Sequence, residues 1–114
     1  MSFWGHEAVA KIDADRAARE AEAGAQLLDV GRPDDWFEGH LPHAILVDVD
    51  SIDEEMKKLA KDKPVVVVAR NNELAVSATD MLHDHGFDVA MVEGGISAWK
   101  SAGHPLIKAD GTKA

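Results

Sequence analysis

Apolar and polar positions follow two rhythms along this chain. Compact apolar runs occur at Leu27 to Val30, Ala44 to Val49, Val65 to Val68 and Asp88 to Val92. They are short and rich in β-branched residues, which suits strands, and Val65–Val68 has the uninterrupted character of a strand buried on both faces. Between them the period lengthens. Ala14 to Ala23 reads as a helix, with Asp13 as N-cap and Gly24 closing the C-terminus in a left-handed conformation. Ser51-Ile52-Asp53-Glu54 has a capping-box pattern, and Ile52, Met56 and Leu59 follow at helical spacing until Lys61-Asp62-Lys63-Pro64. Leu74, Ala78, Met81, Leu82 and His85 mark another helix, which Gly86 stops, and Ile96 to Ala102 makes a last one before Gly103. Ala8 to Ile12 is expected to be an edge strand. Gly31-Arg32-Pro33-Asp34-Asp35 and Gly39-His40-Leu41-Pro42 read as turn and loop, and the polar tail after Ile107 is expected to fray.

Strands and helices thus alternate, which predicts an α/β fold with a mostly parallel sheet and helices on both faces. Ligands in open sheets of this kind sit beyond the C-terminal strand ends. The loop after Val65–Val68 is therefore the first place to look for chemistry.

Composition narrows the chemistry. The chain has 114 residues, enough for one domain, and 46% of them are hydrophobic. Twelve Lys and Arg oppose 21 Asp and Glu, a net charge of −9. With no basic cluster evident in the sequence, neither nucleic acid nor an anionic membrane surface is an expected partner. No apolar run approaches the roughly 20 residues of a membrane-spanning helix. Met1 to Glu7 lacks the features of a signal peptide, so a cytoplasmic location is expected. Cysteine is absent, which excludes disulfides, thiolate metal sites and any mechanism that uses a protein thiol.

Three segments in order carry a resemblance to the rhodanese (sulfurtransferase) family. The first is Leu28-Asp29-Val30 with Pro33, then Gly39-His40-Leu41-Pro42 and Ala44, similar to the family's "DVR…GHIPGA" opening. The second is Val65–Val68 with the following loop and a helix ending at Gly86-Phe87. The third is Glu93-Gly94-Gly95-Ile96-Ser97-Ala98-Trp99, similar to the closing "GGxxAW" segment. The resemblance implies one rhodanese-like domain over residues 1–114 with a five-stranded sheet, matched best over about 9–107 and followed by a 108–114 tail. It also implies that the loop after the central strand should hold a nucleophilic cysteine, ringed by backbone N–H groups at a helix N-terminus. That family loop commonly reads C-R-S-G-x-R-S. Here it reads Ala69-Arg70-Asn71-Asn72-Glu73-Leu74-Ala75.

The departures fall on the chemistry. Ala69 stands at the nucleophile position, and a methyl group cannot attack sulfane sulfur. Leu74 replaces a frequent second cation, Glu73 adds negative charge, and Gly31 replaces the arginine that usually follows Asp-Val, leaving Arg70 alone of the cationic set. Losses at several positions point to natural decay rather than to one deliberate replacement.

The remaining polar candidates have simpler roles. Asp29, at a strand end, is expected to hold loops by hydrogen bonding rather than to catalyse. His40 matches the motif histidine and should pack a loop; His40 and His43 lack a third ligand at a spacing that completes a zinc site, and His83 and His85, two apart on a helix, point to different faces. Ser77 and Thr79 have no evident base beside them. Trp36 and Trp99 are expected in the core. Phe3 and Trp4, ahead of the matched region, could cover an apolar edge or meet a partner. Asn71, Asn72 and Glu73 form either an ordinary polar loop or a partner-binding tip.

The expected function is that of a catalytically inactive rhodanese-like domain, a pseudoenzyme without cofactor or metal, acting on an unidentified protein partner or in regulation. Two alternatives stand beside it: a binder of small anions such as thiosulfate or phosphate through residues 69–75, and a sulfurtransferase whose cysteine was replaced.

Overall fold

A computed structural model describes residues 10–108. Five strands, β1 (Ala10–Ile12), β2 (Gln26–Gly31), β3 (Ile45–Asp48), β4 (Val65–Ala69) and β5 (Val89–Val92), alternate with helices α1 (Ala14–Glu22), α2 (Pro33–Glu38), α3 (Ile52–Glu55), α4 (Asn72–Asp84) and α5 (Gly95–Ser101). The strands form one sheet in the order β1-β5-β4-β2-β3, and every pairing is parallel. The expected Ala8–Ile12 strand is present from Ala10. Its first two residues, together with Phe3, Trp4 and the tail from 109, lie outside the described residues.

The side-chain alternation of β4 organises the two cores. Val65, Val67 and Ala69 join a cluster with Ile52, Met56, Ala78 and Leu82 of the α3/α4 face. Val66 and Val68 join Ala14, Ala17, Ile96 and Trp99 of the α1/α5 face. All residues of β4 are buried, so a run without polar alternation is what two covered faces require. In α1, Asp13 caps as its sequence position implies, its Oδ1 accepting from the Arg16 N–H at 2.7 Å, and Gly24 takes a left-handed φ of 111°.

Two local readings are corrected. Residues 33–38 form α2 rather than a turn, because Pro33 takes the first helical position, where its missing N–H costs nothing. The capping box at Ser51 does not form. Val49–Ser51 is a 3₁₀ turn capped by Asp48, whose side chain accepts from the Asp50 N–H at 3.0 Å. Ser51 emerges from it at φ −121°, ψ 20° and makes no side-chain cap. The helix that follows is a short α segment continued by 3₁₀ at Met56–Lys58, and Ile52, Met56 and Leu59 still reach the core.

The sheet topology places the site. From β2 the chain moves outward to β3, and from β4 it moves the other way to β5, so the reversal falls between neighbouring β4 and β2. Their C-terminal ends, Ala69 and Gly31, open on the crevice where ligands of such sheets bind. The turn from β5 into α5 passes directly against this end. Gly95 has φ +56°, and a Cβ built on it would lie 2.0 Å from the Ala69 carbonyl oxygen. Gly94 has φ +82°, and its Cβ would meet Ala98 Cβ at 2.8 Å.

Gly95→Ala is therefore expected to lower unfolding free energy by at least about 2 kcal/mol, combining a left-handed alanine with forced separation of β4 and α5. Urea denaturation of the variant checks this, and a loss below about 0.5 kcal/mol would refute the contact.

Candidate functional site

The site is built where β4 ends. Ala69 closes the strand with its side chain in the α3/α4 cluster, and the chain turns at Arg70-Asn71 into α4. The first turn of a helix carries N–H groups without intrahelical partners, which is what equips such a turn to receive an anion. Here two of those donors are already engaged. Asn71 is the N-cap: its Oδ1 accepts from the Glu73 N–H at 2.7 Å and from the Leu74 N–H at 3.3 Å. The Asn71 carbonyl accepts the Ala75 N–H at 3.1 Å. An amide oxygen of the chain itself thus sits against two N–H groups of this first turn.

The cleft at this point is small, about 150 Å³, lined by Ala69, Arg70, Asn72, Ala75, Gly94 and Gly95 with Met91 and Val92. Small-molecule pockets usually hold roughly 300–1,000 Å³. Larger clefts, of about 480 and 420 Å³, lie elsewhere on the molecule.

Arg70 is committed to the scaffold. Its Nη2 donates to the Gly39 carbonyl at 2.7 Å, tying the loop to the segment after α2. Close by, the Asp29 carboxylate is 3% exposed and accepts the Leu41 N–H at 3.1 Å. Burial pushes the Asp29 carboxyl above the ordinary range. The Leu41 N–H, the charge of Arg70, His40 and the Trp36 indole oppose that shift in decreasing order. Among the described residues the buried Trp36 Nε1 reaches no partner in hydrogen-bonding geometry, so its help to Asp29 is weak. His40 Nδ1 lies 3.2 Å from the Trp36 carbonyl, and its backbone pairs with Ile107 in both directions, at 2.8 and 2.9 Å. Asp29, His40 and Arg70 therefore form one knot that holds the loops round the crevice.

The other sequence candidates separate from this point. Gly94 and Gly95 line the cleft. Trp99 is buried on the α1/α5 face, donating from Nε1 to the Pro105 carbonyl at 2.9 Å. Ser77 is exposed on α4, and Thr79 is buried with its hydroxyl donating to the Ala75 carbonyl at 2.7 Å. His43 is exposed at φ 61°. His85 follows α4 as its C-cap and is exposed, so it does not continue the apolar stripe. Among the described residues no group of three or more His, Asp or Glu could hold a metal ion, and no helix is long and apolar enough to cross a membrane. The cap at Asn71 is a signal the sequence itself carries, an Asn just before a helical run.

The Rhodanese-like domain family matches residues 13–102. The putative sulfurtransferase YtwF of Bacillus subtilis is 33% identical over 86 residues, spanning 75% of this chain and 84% of that protein. The thiosulfate sulfurtransferase GlpE of Pseudomonas syringae is 34% identical over 92 residues, spanning 80% and 87%. Among solved structures, a rhodanese-related protein from Thermoplasma volcanium superposes with a TM-score of 0.78 at 27% identity, covering 85% of this chain and 96% of the other.

The raised Asp29 carboxyl gives a signed pH dependence. The folded state binds this proton more tightly than the unfolded state, so the contribution of Asp29 to stability is greatest below the ordinary carboxylate pKa of about 3.9. It falls as pH rises through the higher folded value. Asp29→Asn removes the titration. The stability of the variant minus that of the unmodified protein should rise with pH across this interval and level off above it. Urea unfolding at a series of pH values reads the difference, and a difference that falls with pH would overturn the assignment.

Proposed function

The chain belongs to the rhodanese-like domain family, and from that premise we propose that it is a non-catalytic member, a protein-interaction or regulatory module that does not transfer sulfur. The observation that carries this is the methyl group of Ala69 at the end of β4, where the family motif has its cysteine. Sulfur transfer needs a nucleophile with a lone pair to take the sulfur and carry it as a persulfide. Alanine has none, and no cysteine occurs anywhere in the chain to replace it.

The surroundings support the same reading. Asn71 Oδ1 satisfies the amides of Glu73 and Leu74, so the helix end is stable without a thiolate or a bound anion. Arg70 serves Gly39 and the Asp29 carboxylate. The family scaffold persists round an end that now holds itself together. A role that uses the folded surface needs only that scaffold, and a cytoplasmic place of action belongs to the same proposal. The small-anion alternative is disfavoured at the loop, because the Glu73 and Leu74 N–H groups are already taken by Asn71.

In a thiosulfate and cyanide assay the unmodified protein is expected to form thiocyanate no faster than buffer, and a rate above that blank would overturn the proposal. Ala69→Cys should gain the mass of one sulfur atom on exposure to thiosulfate. Adding Asn71→Ser, Asn72→Gly, Leu74→Arg and Ala75→Ser to that variant should raise turnover by about a hundredfold, as restored anion donors do at such sites.

Thiosulfate and phosphate should leave the amide resonances of residues 70–75 in the unmodified protein unmoved. Saturable shifts there would replace the interaction module with an anion binder.

A further inference from the structure

At the opposite end of β4 from Ala69, the chain gathers cations that its overall acidity conceals. Four of the 12 Lys and Arg fall between positions 57 and 63, as Lys57, Lys58, Lys61 and Lys63. In sequence the cluster is masked by Asp53, Glu54, Glu55 and Asp62, which are interspersed with it. The fold sorts these charges. Glu54 takes Lys57 at 3.2 Å and Glu55 takes Lys58 at 3.2 Å. Lys61 has no carboxylate within ion-pair distance among the described residues, and its Nζ lies over the Phe87 ring, 5.4 Å from the centroid.

This ammonium borders a cleft of about 420 Å³ formed by Asp53, Met56, Lys57, Lys61, His85 and Phe87. The floor is apolar, since Met56 and Phe87 are buried to 6% and 4% exposure. The rim carries the Lys61 ammonium, with Lys57 already paired to Glu54 and Asp53 as the one acid of the lining. His85 forms a wall with its Nδ1 held 2.8 Å from the Met81 carbonyl. The volume falls within the range of small-molecule sites. An ammonium over an aromatic face, beside a buried thioether, suits a ligand that has a flat apolar body and one negative end.

We propose that the cleft between the Met56–Lys58 turn and the C-terminal end of α4 binds a small carboxylate with an aromatic or otherwise apolar body. The carboxylate meets Lys61, and the body lies against the Met56 and Phe87 side of the cleft. The site does not depend on the non-catalytic reading of Ala69, because the full length of β4 separates the two.

Phenylacetate is the probe, titrated into the full chain labelled with nitrogen-15, with benzylamine and acetate as controls for charge and for ring. Saturable shifts at Lys57, Lys61, Gly86 and Phe87 are expected with phenylacetate, at a Kd of about 1 mM as befits so small a ligand. The two controls should produce none. Lys61→Gln, an exposed change that should leave the fold intact, is expected to weaken binding about fivefold, the upper range for an exposed charge pair. Lys63→Gln should leave it unchanged. Three results would each overturn the proposal: no saturable response to phenylacetate, an equal response to benzylamine, or shifts confined to residues 70–75.

Discussion

Everything in this domain is arranged round the burial of β4. The strand pairs with β2 on one side and β5 on the other, and is covered above and below by helices. A strand held on four sides cannot shift its register without turning valines out of one core and into the other. That rigidity extends to its last residue. Gly95 passes so close to the Ala69 carbonyl that no other side chain fits. The position of Ala69 at the end of β4 is therefore set by packing, whichever side chain it carries.

Retention of the scaffold did not require the site to stay empty of interactions. A helix N-terminus left bare costs free energy through unsatisfied N–H groups, whatever its former role. Asn71 meets that need from within the chain, and Arg70 is drawn to the Gly39 carbonyl and the Asp29 carboxylate. Asp29 shows the converse. It is buried against its own preference for charge and is stabilised by the Leu41 N–H and nearby cations, so the loops that frame the crevice depend on this carboxylate. The same electrostatic economy at the far end of β4 leaves Lys61 over an aromatic ring while Lys57 and Lys58 are paired with Glu54 and Glu55.

Legibility varied with the range of the interaction responsible. The strand at Val65–Val68, the Asp13 cap and the stops at Gly24 and Gly86 follow from side chains and their immediate neighbours, and each was readable. The missing nucleophile was equally plain, since no fold can create a thiol in a chain without cysteine. The capping box at Ser51 failed because a preceding 3₁₀ turn fixed the backbone of that residue first. Gly31 to Asp35 reads as a turn in sequence, yet Pro33 begins α2, because proline and aspartate suit both a turn and a helix start.

The chain's residues alone thus determine the alternation of strand and helix, the family motifs and the absence of a sulfur carrier, since these depend on residue type and short-range spacing. Only the tertiary structure decided that Gly95 must lie against Ala69, that Arg70 and Asp29 belong to one knot, and that Lys61 stands apart from the acids around it in sequence. Those relations join residues distant along the chain, and distances between such residues exist only once the sheet has brought its strand ends together.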